Sequence, residues 1–165
     1  MKRLMFALGL AVVVAACGVD GPAAPTGSSA APGGSTEAKV FPGQQNGGAL
    51  LTATMTGPAE APVPGDPDGT GTARITFNPG QEEICYVLEV SGIEPARAAH
   101  IHRAPAGEPG PIVVPLSPPT SGSSQACVTA SRDLIRAILH DPEGYYVNVH
   151  NEPYPGGAVR GQLSK

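Results

Sequence analysis

From Ala49 onward apolar and polar residues alternate, and a chain written with period two buries one side only by forming β-strands. Ala49, Leu51, Ala53 and Met55 alternate with Leu50, Thr52, Thr54 and Thr56, and Gly71, Ala73, Ile75 and Phe77 with Thr72, Arg74 and Thr76. Ile84, Tyr86, Leu88 and Val90 mark a third strand, Ala99 and Ile101 a fourth, and Ile112, Val114 and Leu116 a fifth. Shorter segments at 124–129, 145–150 and 158–163 follow. Gly/Pro/Asp/Asn clusters at 64–69 and 78–80 are turn chemistry between strands. The pattern predicts an all-β domain, an antiparallel Greek-key β-sandwich over residues 49–165.

Composition supports this class. With 22 Gly and 19 Pro in 165 residues, helical bundles and coiled coils are excluded, because both residues break helices. One helix is nonetheless expected. Ser131 is a suitable N-cap, Asp133 suits the first-turn dipole, and Leu134, Ile135, Ile138 and Leu139 form one apolar stripe that ends before Pro142. It reads as a lid over one end of the sandwich, with His140 as a solvated partner of the helix dipole. A formal charge of −4 offers no basic footprint for a phosphate backbone, so nucleic acid is not an expected partner.

The first 16 residues have a different grammar. Lys2 and Arg3 precede a 13-residue apolar run, Leu4–Ala16, that ends in small residues, which is the layout of a secretory signal. A membrane-spanning helix needs about 20 apolar residues, so this run is expected to be removed. Val14-Ala15-Ala16-Cys17 is similar to the bacterial lipoprotein box, which implies lipid on Cys17 and membrane attachment. Residues 17–48 are rich in Gly, Pro, Ala and Ser without apolar period, the composition of a flexible tether. Loss of the leader leaves 8 basic against 14 acidic residues, a formal charge of −6. The domain is then repelled by anionic surfaces, and the lipid is what holds it at the membrane.

Two cysteines remain, Cys85 and Cys127, each in an expected strand. In an exported chain an even pair reads as a disulfide; the rival, a pair of thiolate metal ligands, lacks the CxxC spacing of such sites.

The chemistry-bearing residues are histidines. His100 and His102 stand two apart on one strand and therefore share a face, and His150 ends Tyr146-Val147-Asn148-Val149-His150. If Ala99, Ile101, Val147 and Val149 are core, all three histidines point outward. A register that buries Val159 and Leu163 adds Arg160 to the face of Asn148 and His150. The cluster fits copper or zinc, which accept imidazole, rather than calcium or magnesium. The bland alternative is that the three histidines are scattered over the outer face, or serve as hydrogen-bonding partners for loops.

These blocks resemble the CHRD domain, a module named for chordin and also found in bacterial secreted proteins. The likeness runs from Leu51-Thr52-Ala53, Gly57, Glu60 and Pro62, through Gly69–Phe77 and Cys85-Tyr86, to Ala99-His100-Ile101-His102, Gly107 and Gly110. It ends with Tyr146-Val147-Asn148-Val149-His150 and Arg160-Gly161-Gln162-Leu163. Ala61, Asn151 and Ala158 depart from the usual Val, Thr and Glu, the last removing a carboxylate near the histidines. The resemblance implies a β-sandwich. A more distant likeness, to copper,zinc superoxide dismutase, rests on His100-x-His102, Val149-His150 and Arg160 in the same chain order. The segment 103–111 holds no histidine, so the bridging and zinc ligands have no counterpart and only a mononuclear copper site is implied.

Three functions follow. The first is a membrane-tethered binding module with a copper or zinc ion on His100, His102 and His150. The second is a superoxide dismutase-like enzyme in which Arg160 attracts a small anion to copper. The third is a metal-free structural surface domain. No Gly-x-Ser-x-Gly, P-loop or HExxH motif is present, and the acidic residues of the turns read as solvating.

Overall fold

A computed structural model describes residues 48–165. The leader, Cys17 and the tether up to residue 47 lie outside the described residues. Eight strands are present among the described residues: β1 Ala49–Thr56, β2 Thr70–Asn78, β3 Glu83–Ser91, β4 Ala98–Arg103, β5 Ile112–Leu116, β6 Ser123–Thr129, β7 Tyr145–His150 and β8 Val159–Gln162. They form an antiparallel sheet in the order β5-β4-β7-β8-β1-β2-β3-β6 that folds as a sandwich. Spatial order β8-β1-β2-β3 is the Greek-key arrangement, three hairpin-linked strands with a fourth returning beside the first.

The two halves meet where β1 runs beside β8. Thr56 pairs with Arg160, and Thr52 exchanges backbone hydrogen bonds with Ser164 at 2.9 and 2.8 Å. Between the halves lies one apolar core. Leu51, Met55, Ile75, Phe77, Ile84 and Leu88 come from one side, and Ala99, Ile101, Val114, Val147, Val149 and Val159 from the other. Period-two alternation produces this division, since each of these residues leaves its strand toward the same interior. Tyr86 is wholly buried, and its hydroxyl is satisfied by accepting from the Ser117 N–H at 2.6 Å.

The helix α1 spans Arg132–His140. Ser131 caps it, its hydroxyl accepting from the Leu134 N–H at 3.3 Å, and Ile135 and Ile138 are its fully buried residues. The apolar stripe thus covers the core while His140 stays exposed in the last turn. One strand departs from simple alternation. Pairing of β4 with β5 slips between Ile101 and His102, which face Val114 and Ile112 respectively, so Val113 is the extra residue of a bulge. Ile112, expected inside by parity, is therefore turned out and left 54% exposed.

Cys85 and Cys127 are directly opposed on β3 and β6 and form a disulfide. It joins residues 42 apart, and closing a loop of that size removes unfolded-state entropy equivalent to about 4 kcal/mol in the chain-entropy account. Replacing both cysteines by serine is expected to lower the unfolding free energy by about 2–4 kcal/mol. Equilibrium urea denaturation checks it; an unchanged midpoint contradicts a stabilising role for the bond.

Candidate metal centre

The register places the outward side chains of β4, β7 and β8 side by side. His100 lies opposite Asn148, His102 opposite Tyr146, and Asn148 in turn opposite Arg160. His150 sits one step along β7, so its ring meets that of His100 on the diagonal, with centroids 5.1 Å apart. One ligand-capable atom from each of His100, His102 and His150 lies within 4.8 Å of the others. The three histidines thus form one cluster, and the scattered arrangement is excluded.

Hydrogen bonds set the rings for coordination. His102 Nδ1 lies 2.8 Å from the Gly110 carbonyl and His150 Nδ1 3.0 Å from the Pro155 carbonyl. A carbonyl only accepts, so both Nδ1 atoms carry the proton and both Nε2 atoms keep a lone pair. Fixing the far nitrogen on a carbonyl in this way is how proteins orient imidazole ligands. His102 Nε2 is buried and has no hydrogen-bond partner among the described residues. A lone pair left unmatched away from water is costly, and a bound cation would satisfy it. His100 Nδ1 lies 3.2 Å from His150 Nε2, the spacing of two ligands around one small ion.

Burial keeps the His100 and His150 rings neutral. Burial lowers the pKa of His100 to about 4, with the neighbouring His150 and His102 adding to the shift. Burial also lowers His150, against the bond to Pro155 that favours its charged form. Neutral imidazole is the form that binds metal, so these ligands need no proton release near neutrality.

Parity places these side chains on the outer side of the sheet, as expected, but that face is covered. Residues 104–110 fold over it, and Arg160 pins them. The guanidinium donates to the Pro105 carbonyl at 2.8 Å, to the Glu108 carbonyl at 2.9 Å and to Gln162 Oε1, while Gln162 Nε2 donates to the Ala104 carbonyl. Arg160 also lies 3.5 Å over the Tyr146 ring, and Tyr146 stacks on His102 with centroids 4.8 Å apart. Gly110 closes the loop by donating its N–H to the Tyr146 hydroxyl at 3.3 Å. His102 is consequently 8% exposed and Arg160 1%. An exposed Arg160 beside the histidines, expected from strand parity alone, is replaced by a guanidinium buried against Tyr146 and committed to the loop. The other side stays open: a cleft of about 520 Å³ is lined by His100, His150, Ile112 and Asn151, with the Arg97–Glu152 ion pair at its exposed margin.

Glu60 and Asn148 are the two further polar residues of the site. Glu60 follows a single 3-10 turn, Gly57–Ala59, and is 7% exposed. Its carboxyl is hydrogen-bonded by the Asn148 side chain and sits in the field of Arg160, yet burial dominates and raises its pKa to about 7. Gly157, at φ 142°, leaves it room, because a Cβ there would fall inside the Glu60 carboxyl. The signal for Glu60 was a carboxylate alone in the run Ala59-Glu60-Ala61-Pro62-Val63-Pro64, where a solvating role had no other polar company.

A disulfide-bonded Greek-key sandwich with a covered histidine cluster is the class that this geometry defines. Comparison with protein families matches the CHRD domain over residues 51–163, and the chain belongs to that family. Neither the curated proteins nor the solved structures yield a match.

Two outcomes follow. Arg160→Met keeps the length of the side chain but leaves the Pro105 and Glu108 carbonyls without their donors, which is expected to cost about 2–4 kcal/mol, read by denaturant unfolding. The imidazoles of His100 and His150, whose folded pKa values lie below the unfolded 6.5, contribute stability that is present above pH 6.5 and lost as the pH falls toward about 4. Glu60, shifted upward, acts in the opposite direction between pH 4.5 and 7, so the test is differential. Chelator-treated wild type should lose stability relative to His100→Asn as the pH is lowered through this window; parallel curves contradict the assignment.

Proposed function

We propose that the protein is an extracytoplasmic binding module, tethered to a bacterial membrane through lipid on Cys17, whose His100, His102 and His150 hold one copper or zinc ion. The observation that carries this reading is the clustering of the three rings, one ligand-capable atom of each within 4.8 Å of the others, with Nδ1 of His102 and His150 held on the Gly110 and Pro155 carbonyls so that Nε2 is left to ligate. Imidazole donors suit copper and zinc, and the neutral state of His100 and His150 suits uptake near pH 7. Membership of the CHRD family and the Cys85–Cys127 disulfide support an oxidising, extracytoplasmic setting. The lipobox at Val14–Cys17 and the Gly/Pro/Ala/Ser composition of the tether support the anchor.

Binding is favoured over turnover by the placement of Arg160. A guanidinium that draws a small anion to copper must face the approach path, whereas here it donates to backbone carbonyls under a loop. The exposed cation of the cleft is Arg97, already paired with Glu152.

Titration of the metal-free, full mature chain with zinc or copper(II) tests the reading. One ion per chain is expected, with the affinity falling roughly 100-fold or more in His102→Ala and in His150→Ala. Absence of uptake by the wild type leaves a metal-free structural domain. Superoxide dismutation by the copper-loaded chain, lowered by Arg160→Lys with copper retained, would move the protein to the enzymatic reading.

A further inference from the structure

Asn148 stands at the centre of the candidate site, 2% exposed, opposite His100 on one side and Arg160 on the other. Its amide has two ends, and the structure determines what each one meets. The amide donates to the Glu60 carboxyl, which in its ionised form only accepts, so Nδ2 is the end that faces Glu60. Oδ1 is then directed at His150 Nε2, 3.0 Å away. That nitrogen has no proton to offer, because His150 carries its proton on Nδ1, which donates to the Pro155 carbonyl.

Two lone pairs therefore face each other at hydrogen-bond distance with no hydrogen between them. His100 Nδ1 approaches the same His150 nitrogen at 3.2 Å, and the buried Nε2 of His102 lacks a partner among the described residues. Contacts of 3.0 and 3.2 Å are the separations of atoms sharing one ion at metal–ligand distances of about 2.0–2.1 Å. A cation bound between Oδ1 and His150 Nε2 turns this mutual repulsion into attraction.

We propose that Asn148 is a fourth, oxygen ligand to the ion held by His100, His102 and His150, and that Glu60 positions it by holding the amide nitrogen away. The inference rests on the three-histidine reading and deepens it. Three imidazoles and one carbonyl oxygen form a donor set for zinc or copper(II), and a fourth protein ligand describes a site that retains its ion. Glu60 acts through Asn148 and touches no metal. Its negative charge, near the cation and Arg160, offsets part of the charge brought in with the ion.

Cobalt(II) alone, added to the full mature chain, is the probe, because its visible bands report the donor set and the geometry separately from affinity. The wild type is expected to bind one cobalt with a four-coordinate spectrum. Asn148→Ala should weaken binding roughly 10- to 100-fold and shift the bands as water enters. Asn148→Asp, which keeps the size and supplies an anionic oxygen, should restore affinity with a spectrum distinct from both. Glu60→Ala should weaken binding roughly tenfold, and Glu60→Gln, whose Oε1 accepts the same N–H, should recover most of it.

The ligand role is overturned if Asn148→Ala and Asn148→Asp, both folded by circular dichroism, leave the bands and the affinity at wild-type values while His150→Ala abolishes binding. Should Asn148→Ala not fold, the Asp variant decides by itself: shifted bands support oxygen ligation and unshifted bands exclude it. Failure of the wild type to take up cobalt, zinc or copper removes the three-histidine reading, and this inference falls with it.

Discussion

Burial of Ala99 and Ile101 on β4, and of Val147 and Val149 on β7, is the constraint on which the histidine cluster depends. All four are fully inaccessible. Because neighbouring residues of a strand leave opposite faces, placing these four in the core sends His100, His102, Asn148 and His150 to the other side, and antiparallel pairing of β4 with β7 brings them together. A one-residue slip of either strand would bury imidazoles and scatter the cluster. The same apolar contacts that hold the sandwich closed thus assemble the site, so its geometry belongs to the rigid scaffold rather than to a mobile loop.

What converts an exposed row of histidines into a shielded centre is Arg160. Its guanidinium replaces water for the carbonyls of Pro105 and Glu108, and its flat face rests on Tyr146, which in turn stacks on His102. Each contact excludes solvent from the next. The burial of His102 and its unmatched Nε2 accompany this covering, whereas His100 has its proton affinity lowered by burial and by the neighbouring His150 and His102. The outcome is one closed side, sealed by the loop, and one open side at His100 and His150.

Much of this was legible in the sequence because it depends on parity. The strands and the common face of the three histidines follow from which residues alternate and which side is apolar, while the Ser131 cap follows from its place before a helical stripe and the pairing of Cys85 with Cys127 from an even cysteine count in an exported chain. What escaped depends on loops. Nothing in Arg103–Pro111 announces that its carbonyls satisfy Arg160, because backbone acceptors carry no side-chain signature. The outward turn of Ile112 arises from a bulge, which interrupts the period that sequence reading relies on. Glu60 lies some ninety residues before its partners Asn148 and Arg160, and only the closing of β1 against β8 brings it to them.

The central claim is that Nε2 of His102 and of His150 is left unprotonated and able to ligate because the other nitrogen of each ring is held by a carbonyl. Long-range ¹⁵N–¹H correlation of the imidazole rings in the metal-free protein at pH 7 reads this directly. Both rings are predicted to carry a proton on Nδ1, with their Nε2 resonances moving on addition of one equivalent of zinc. Nε2–H tautomers at either residue, or rings indifferent to zinc, would contradict it.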